Sequence, residues 1–285
     1  MKVIHSVLLG LALAVVGGSF AAAQQTPSTM PKILQIDREF IKPGKAGALH
    51  DASESRFVAA MTKAKWPTHY IALNSLSGRS RALYISAYAS FAAWQKDMDA
   101  TDKDAALSAE LDRLSVSDGE LLDGTDQFVL YYDGDLSYHP IPDLADVRYM
   151  EITTFHIHPG HRKDFSDLVK MVIAGQQKAG THANWAMYEM EYGGGNEFVL
   201  FSADKSLSEI DESFTEGKKF DAAMGKEGIT KLTGLVSSTI ASSDSELFAI
   251  NPRQSYAPPQ WVKENPGFWE PKPAAKPATA KKHMP

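Results

Sequence analysis

Hydrophobic and polar positions alternate along the chain in a pattern that occurs twice. Residues 33–44 match residues 149–160: in each segment a strand-like alternation ends at a Pro-Gly turn. A helical pattern follows, and its first apolar positions, Leu49 and Phe165, lie 116 residues apart,. Repetition at a fixed offset predicts two copies of one structural unit in tandem.

The elements follow the same order in both copies. Two strand-like runs flank a turn of small residues, at 77–80 in the first copy and at 193–196 in the second, which predicts a hairpin,. A second helical pattern and a closing strand complete each copy. The order is β-α-β-β-α-β, which is the arrangement of ferredoxin-like folds.

A ferredoxin-like unit carries helices on one face of its sheet, so that the other face needs a cover. We therefore predict an α+β fold of two units, residues 32–135 and 146–256, whose sheets pack face to face as an α/β barrel. The linker with Pro140 and Pro142 permits pairing within one chain or between two chains,. A monomer with an intrachain barrel and a homodimer both remain open.

The two ends differ from the repeated part. Residues 1–23 combine Lys2, an apolar run and an Ala-Ala-Ala cleavage pattern, which predicts a secretory signal peptide and an exported, periplasmic or secreted protein,. The apolar run is too short for a retained membrane span. Residues 257–285 are rich in Pro, Ala and Lys, and we expect disorder from about residue 271,. The aromatic residues at 261, 268 and 269 either dock on the domains or form a short interaction motif.

Composition narrows the function classes. The 285 residues contain no cysteine, which excludes disulfides, thiolate catalysis and Cys-ligated metals,. The net charge of -6 argues against nucleic acid as a partner, because phosphate binding needs a basic face,. The glycines at 193–195 lie in a hairpin turn without the lysine of a phosphate-binding loop,.

The strand, Pro-Gly turn, helix and hairpin pattern resembles the dimeric α/β-barrel superfamily, which includes small monooxygenases, haem-degrading enzymes, EthD-like and NIPSNAP-like proteins. More closely, the chain is similar to tandem secreted bacterial proteins of this class without an assigned function. The resemblance covers roughly residues 32–256 and implies that a ligand would sit between the sheets. Because the superfamily includes enzymes, haem binders and members without known activity, the cofactor and any catalysis stay unknown.

The first strand of each copy has two different faces. The more apolar set, which we expect to face the helices, consists of Leu34, Ile36, Phe40, Met150 and Ile152,. The alternate positions would then place carboxylates in the space between the sheets, where they are candidate acid/base groups unless an arginine pairs with them. These candidates are Asp37, Glu39 and Glu151.

Aromatic residues on the middle strands are candidates for ligand contacts. If the space between the sheets is open, aromatic side chains lining it would favour a small apolar or aromatic ligand; otherwise they are core residues. The candidates are Tyr70, Tyr84, Trp185 and Tyr188.

Histidines raise two further alternatives. Three of them lie near the end of one strand and are candidate metal ligands: His156, His158 and His161,. Cations at two matching positions of the first copy, Lys42 and Lys45, favour ordinary surface residues instead. Candidates for a haem ligand are His50, His69 and His182.

Three hypotheses follow. The first is an exported protein that binds a small apolar or aromatic ligand between the two sheets without catalysis. The second is a cofactor-independent monooxygenase-like enzyme that uses the same pocket, and the third is a haem-binding protein.

Overall fold

Eight antiparallel strands close into one barrel in the computed structural model, which describes residues 29–270. The predicted signal peptide (residues 1–23) and the predicted disordered tail (from residue 271) lie outside the described residues. Every helix within residues 29–270 is too short or too polar to cross a bilayer.

The first unit consists of seven elements. They are β1 (Ile33–Ile41), α1 (Ala48–Ala64), β2 (Tyr70–Ser75), β3 (Arg81–Tyr88), α2 (Phe91–Lys103), α3 (Ala105–Gly119) and β4 (Leu122–Tyr138).

The second unit repeats this order and is followed by two short helices. Its elements are β5 (Tyr149–Ile157), α4 (Arg162–Ala179), β6 (Trp185–Tyr192), β7 (Glu197–Asp204), α5 (Leu207–Thr239) and β8 (Ile240–Ile250), and the final helices are α6 (Pro259–Glu264) and α7 (Pro266–Trp269). Helix α5 is interrupted at Gly225, whose φ of 66° is readily adopted by glycine,.

The strand order around the barrel is β1-β3-β2-β8-β5-β7-β6-β4. Each unit supplies a ferredoxin-like sheet, and the units join where β2 pairs with β8 and β4 pairs with β6. Closure leaves none of these strands with an unpaired edge. The predicted α+β fold, with the two sheets joined in one α/β barrel, is confirmed. One chain completes the barrel, whereas the oligomeric state stays a prediction.

The assignment of strand faces was wrong. The apolar set of β1 and β5, including Leu34, Ile36, Met150 and Ile152, belongs to the cluster that fills the barrel interior. The alternate positions point outwards, towards the helices. A closed eight-stranded barrel fills its interior with side chains, so that the most apolar face of each strand turns inwards.

The outer cores of the two units differ in polarity. Helix α4 buries Phe165, Leu168 and Val169 against the outside of the barrel, whereas the buried residues of α1 are His50, Ser53 and Glu54. Leu49, predicted as the apolar anchor of α1, is 55% exposed, and this prediction was wrong. The two helices are shifted by one residue relative to the repeat, and a shift of one residue turns a helix face by about 100°.

The C-terminal aromatic segment docks on one end of the barrel. Trp269 donates a hydrogen bond from Nε1 to the backbone oxygen of Ala145 at 2.9 Å, and the guanidinium of Arg148 lies 3.8 Å from the ring centroid of Phe268. Trp261 packs beside Trp269 with ring centroids 5.4 Å apart. Residues 257–270 are therefore folded against the linker between the units.

Replacing Trp269 by alanine tests this docking. The side chain is 2% exposed, and we expect Trp269→Ala to lower the free energy of unfolding by about 3–5 kcal/mol because it leaves a cavity and removes a buried hydrogen bond,. Urea unfolding measures the change. The control Val116→Ala, at a position that is 77% exposed, should stay within about 0.5 kcal/mol of the wild type,. Equal effects of the two substitutions would contradict the docking.

Candidate functional site

A cavity of about 930 Å³ lies at the barrel end where β1, β2, β5 and β6 begin. Barrel strands form about half of its wall, and the rest comes mainly from residues 29–32, His69, the linker between the units and Trp261. The main apolar residues of the wall are Leu34, Ile71, Ile85, Met150, Ala186, Tyr188 and Phe201. This volume lies near the upper end of the range for small-molecule sites.

Most polar side chains around the cavity already have partners. The Tyr188 hydroxyl donates to the backbone oxygen of Pro31 at 3.1 Å, and the Tyr88 hydroxyl donates to Asp97 at 2.9 Å. The Asn184 side chain accepts from the backbone N–H of Ala203 at 3.1 Å. These groups are held by the fold itself.

His69 differs because one of its ring nitrogens remains available. Its Nδ1 lies 3.2 Å from the backbone oxygen of Tyr256, and a carbonyl only accepts, so Nδ1 carries the proton,. Nε2 therefore presents a lone pair, and it makes no hydrogen bond within residues 29–270. Burial lowers the pKa of His69, which favours the neutral ring,. The cavity is thus lined by an imidazole that can accept a proton or a hydrogen bond.

Two of the four predicted aromatic residues line this cavity. Tyr188 points into the barrel, whereas Tyr70 lies at the rim of the cavity and its ring packs on the outer cluster, 6.1 Å from the Tyr84 ring. The prediction was wrong for Trp185 and Tyr84, which face the helix layer. Trp185 packs on Tyr138 with ring centroids 5.2 Å apart, and Tyr84 belongs to an outer cluster with Ala72 and Ala82. Neighbouring strand residues point to opposite faces, so Ala186 takes the inner position beside Trp185.

The three predicted carboxylates do not line the cavity, and the structure does not bring them together. Asp37 accepts a hydrogen bond from Gln127 at 2.5 Å. Glu39 lies under α1, 3.0 Å from His50. Glu151 faces the outside of the second unit, where burial raises its pKa. The prediction that all three face the space between the sheets was wrong, because that space receives the apolar face.

The three predicted metal-ligating histidines do not converge either. His156 points into the opposite end of the barrel, between Glu197 and Asp244, at 3.2 Å from each. The rings of His158 and His161 are 6.1 Å apart, and His161 pairs with Asp164. Of the histidines considered for haem, His69 alone lines the cavity within the described part of the chain.

The opposite barrel end is rich in paired charges. It holds a smaller cavity of about 400 Å³. Arg38 makes two hydrogen bonds to Asp126, at 2.8 and 2.6 Å, and Arg81 forms an ion pair with Glu246. Because these charges already have partners, this end has less capacity for a ligand than the apolar end.

The structure also brings together a buried cluster that the sequence analysis missed: Glu39, His50, Glu54 and Asp118. One donor atom from each side chain lies within 4.8 Å of the others. His50, Glu54 and Asp118 are 0%, 5% and 2% exposed. Burial, together with the charges of Glu39 and Asp118, raises the pKa of Glu54 to about 9, so Glu54 is neutral near pH 7,.

A comparison of the two copies carries only a partial signal of this cluster. His50 and Glu54 are spaced like Phe165 and Val169 on the matching helix, but the one-residue shift of α1 hides the correspondence. Asp118 comes from a distant helix, and no spacing connects it to the other three.

Comparisons with known proteins find similarity of structure only. No protein-family model and no curated protein matches the chain. A proposed monooxygenase of Lactobacillus acidophilus NCFM has a TM-score of 0.47 at 9% identity, covering 77% of this chain and 94% of its own. An anthrone oxidase-like protein has a TM-score of 0.48 at 12% identity, covering 78% of this chain and 92% of its own. A mutant chlorite dismutase of Candidatus Nitrospira defluvii has a TM-score of 0.47 at 10% identity, covering 83% of this chain and 96% of its own. Similarity at this level extends neither to substrate nor to cofactor.

Asp204, near Glu151, gives a prediction for pH. Burial, together with the charges of Glu151 and Glu209, raises its pKa to about 6. The folded state favours the neutral carboxyl, so its contribution to stability is present below the unfolded pKa of about 3.9 and is lost as the pH rises through 6. We expect Asp204→Asn to remove this loss, so that the variant gains stability relative to the wild type between pH 4 and 7.

Urea unfolding at pH 4, 5.5 and 7 measures this difference. The control Asp112→Asn removes an exposed carboxylate from α3. If the two variants show the same pH profile, burial of Asp204 has no such effect.

Proposed function

We propose that this protein is exported and binds a small apolar or aromatic molecule in the cavity at the open end of the barrel. The observation that supports this best is a cavity of about 930 Å³ with a mainly apolar wall. Protein interiors are packed to near-crystalline density, and voids larger than a water molecule are few. A cavity of this size is therefore better explained as a ligand site than as a packing defect.

The wall favours a flat ligand. Tyr188 contacts Phe201 edge to face, with ring centroids 5.6 Å apart, and lies 5.3 Å from the Tyr132 ring. Aromatic faces in an apolar wall stack well on a planar ligand. His69 adds one polar contact, since a ligand hydroxyl can donate to its Nε2. An aromatic molecule with one hydroxyl group fits both features.

His69 also favours a second candidate function, catalysis. Its tautomer is fixed by the Tyr256 carbonyl, and the lowered pKa keeps the ring neutral, as a general base requires,. Removal of a phenolic proton by Nε2 would be the first step of a cofactor-independent oxygenation. The same lone pair suits a haem iron, so haem binding is a further outcome that the experiments below distinguish.

Filling the cavity tests the binding proposal. Ala186 lies in its wall, and we expect Ala186→Trp to weaken binding of the fluorescent probe N-phenyl-1-naphthylamine at least about 10-fold because the indole occupies the ligand volume,. The control Ala222→Trp places the same side chain on the exposed surface of α5 and should leave the affinity unchanged.

Circular dichroism and urea unfolding show whether the Ala186 variant is folded. Ala203→Phe, at a second wall position, is the alternative if it is not. Unchanged probe affinity in a folded cavity-filling variant would place the ligand elsewhere and refute the proposal.

Replacing His69 tests the polar contact. We expect His69→Phe to weaken binding of 2-naphthol about 5-fold, the value of roughly one hydrogen bond, and to leave binding of naphthalene nearly unchanged. The control His182→Phe changes an exposed histidine. Equal losses for the two ligands would mean that His69 acts by packing and not as an acceptor.

Two further measurements on the same variants separate the alternatives. Oxygen consumption with 2-naphthol that disappears in His69→Phe would support catalysis. A Soret band that forms on hemin titration and shifts in His69→Phe would support haem binding. Without either result, the protein is a binding protein.

A further inference from the structure

The buried cluster lies between the barrel wall and the helix layer of the first unit. Glu39 comes from β1, His50 and Glu54 lie one turn apart on α1, and Asp118 lies near the end of α3. The four donor atoms, three carboxylate oxygens and one imidazole nitrogen, are all within 4.8 Å of one another. None of the four residues lines the apolar cavity, so the cluster is a separate feature.

The second unit shows that the fold does not need charges at this place. The position of Glu39 corresponds to Phe155, and the buried positions of His50 and Glu54 correspond to Phe165 and Val169. Phe155 and Phe165 pack together with ring centroids 5.5 Å apart. The same chain therefore builds one outer core from hydrocarbon and the other around three carboxyl groups.

Burying three carboxyl groups together is costly, and the cost is offset by protonation of a carboxyl, as at Glu54, or by a bound cation,. No lysine or arginine within residues 29–270 forms an ion pair with Glu39, Glu54 or Asp118. Within this part of the chain, the only basic group that pairs with one of the three carboxyl groups is the imidazole of His50, which lies 3.0 Å from Glu39.

Two polar atoms at the cluster are also left unsatisfied. Asp118 Oδ1 and the Tyr84 hydroxyl are buried and make no hydrogen bond of good geometry within the described residues, although both side chains lie beside Glu54. The corresponding position of Tyr84 in the second unit is Leu200. Buried polar atoms without partners are rare, and a group that the protein binds at this place would explain both.

We propose that the buried cluster binds one divalent transition-metal cation. A tetrahedral ion at about 2.0–2.2 Å from each donor places the donor atoms roughly 3.3–3.6 Å apart, so a pair of donors at the 4.8 Å limit closes by about 1.2–1.5 Å on binding,. The positive charge compensates the carboxylates, and Asp118 Oδ1 and the Tyr84 hydroxyl gain a charged group or a metal-bound water as partner.

The donor set selects the class of ion. Carboxylates suit hard ions such as Mg²⁺ and Mn²⁺, whereas imidazole suits Zn²⁺ and other late transition metals. Three oxygens with one nitrogen therefore favour Zn²⁺ or Mn²⁺ over Ca²⁺. Gln254, fully buried, lies 3.2 Å from Nδ1 of His50 and is held by Asp51 at 2.9 Å. Because an amide nitrogen donates, Nδ1 of His50 accepts in this arrangement, and Nε2 carries the proton directed at Glu39,. Binding of an ion through Nε2 moves that proton to Nδ1, so the Gln254 amide has to give up its bond to the ring.

The expected role is structural. The ligands come from β1, α1 and α3, so one ion would tie two outer helices to the barrel wall. The site lies beneath the helices, without the open cavity that a substrate needs. We therefore expect metal binding to raise stability and to leave affinity for the apolar ligand unchanged.

The test uses the full chain after treatment with a chelator. Isothermal titration with Zn²⁺ and with Mn²⁺ should give one site with Kd below about 1 μM for at least one of the two ions, and native mass spectrometry should show one bound ion. At free metal about 100 times Kd, Tm should rise by about 5–10 °C. A stripped protein that binds neither ion saturably would overturn the proposal.

Matched variants locate the ion. Glu54→Gln and Asp118→Asn keep the size of the side chain but remove a ligand, and each should weaken binding at least about 10-fold and, at the same free metal concentration, cut the rise in Tm to about half or less. Glu151→Gln removes a carboxylate from the outer face of the second unit and should change neither. His158→Ala and His161→Ala test the other histidines, and loss of the ion in these variants, but not in Glu54→Gln, would overturn the proposal.

X-ray absorption of the Zn²⁺-loaded wild type keeps the test independent of variant folding. The spectrum should show oxygen and nitrogen ligands with one imidazole. Two or more imidazoles would place the ion at the surface histidines and refute the assignment.

Discussion

Strand pairing between the two units, β2 with β8 and β4 with β6, is the constraint on which the other features depend. It turns two open sheets into one barrel and gives every strand a neighbour on both sides. Closure also decides which face of each strand is inside, because eight strands enclose a space that side chains must fill. The helices are thereby confined to the outside, and the cavity to one end of the barrel.

Local sequence patterns predict the order of the elements and the barrel, but they do not predict which face of each strand points into the barrel. The Pro-Gly turns, the hairpins and the fixed offset come from neighbouring residues, and they predicted the element order and the barrel. Which face of β1 points inwards depends on closure between distant strands, and there the prediction failed. Leu49 and Trp185 failed for a related reason: a shift of one position moves a side chain to a different face, and no local pattern detects it.

The sequence analysis placed a pocket between the two sheets, but it named only some of the residues that line the cavity. A pocket between the two halves follows from the fold, and Tyr70 and Tyr188 were among the predicted lining residues. His69 was considered only for haem, since its free Nε2 depends on a contact with Tyr256 that is distant in sequence. The buried cluster was missed because Asp118 reaches it from a helix whose pattern shows no relation to α1.

Fusion of the two units into one chain frees the barrel from exact symmetry. In a homodimer, each substitution appears twice about the two-fold axis, so a charged core in one half requires the same charged core in the other. Here Glu39 faces α1 while its counterpart Phe155 faces α4, and each half has its own composition. One barrel can therefore carry a single copy of each specialised feature, with a stoichiometry of one per chain.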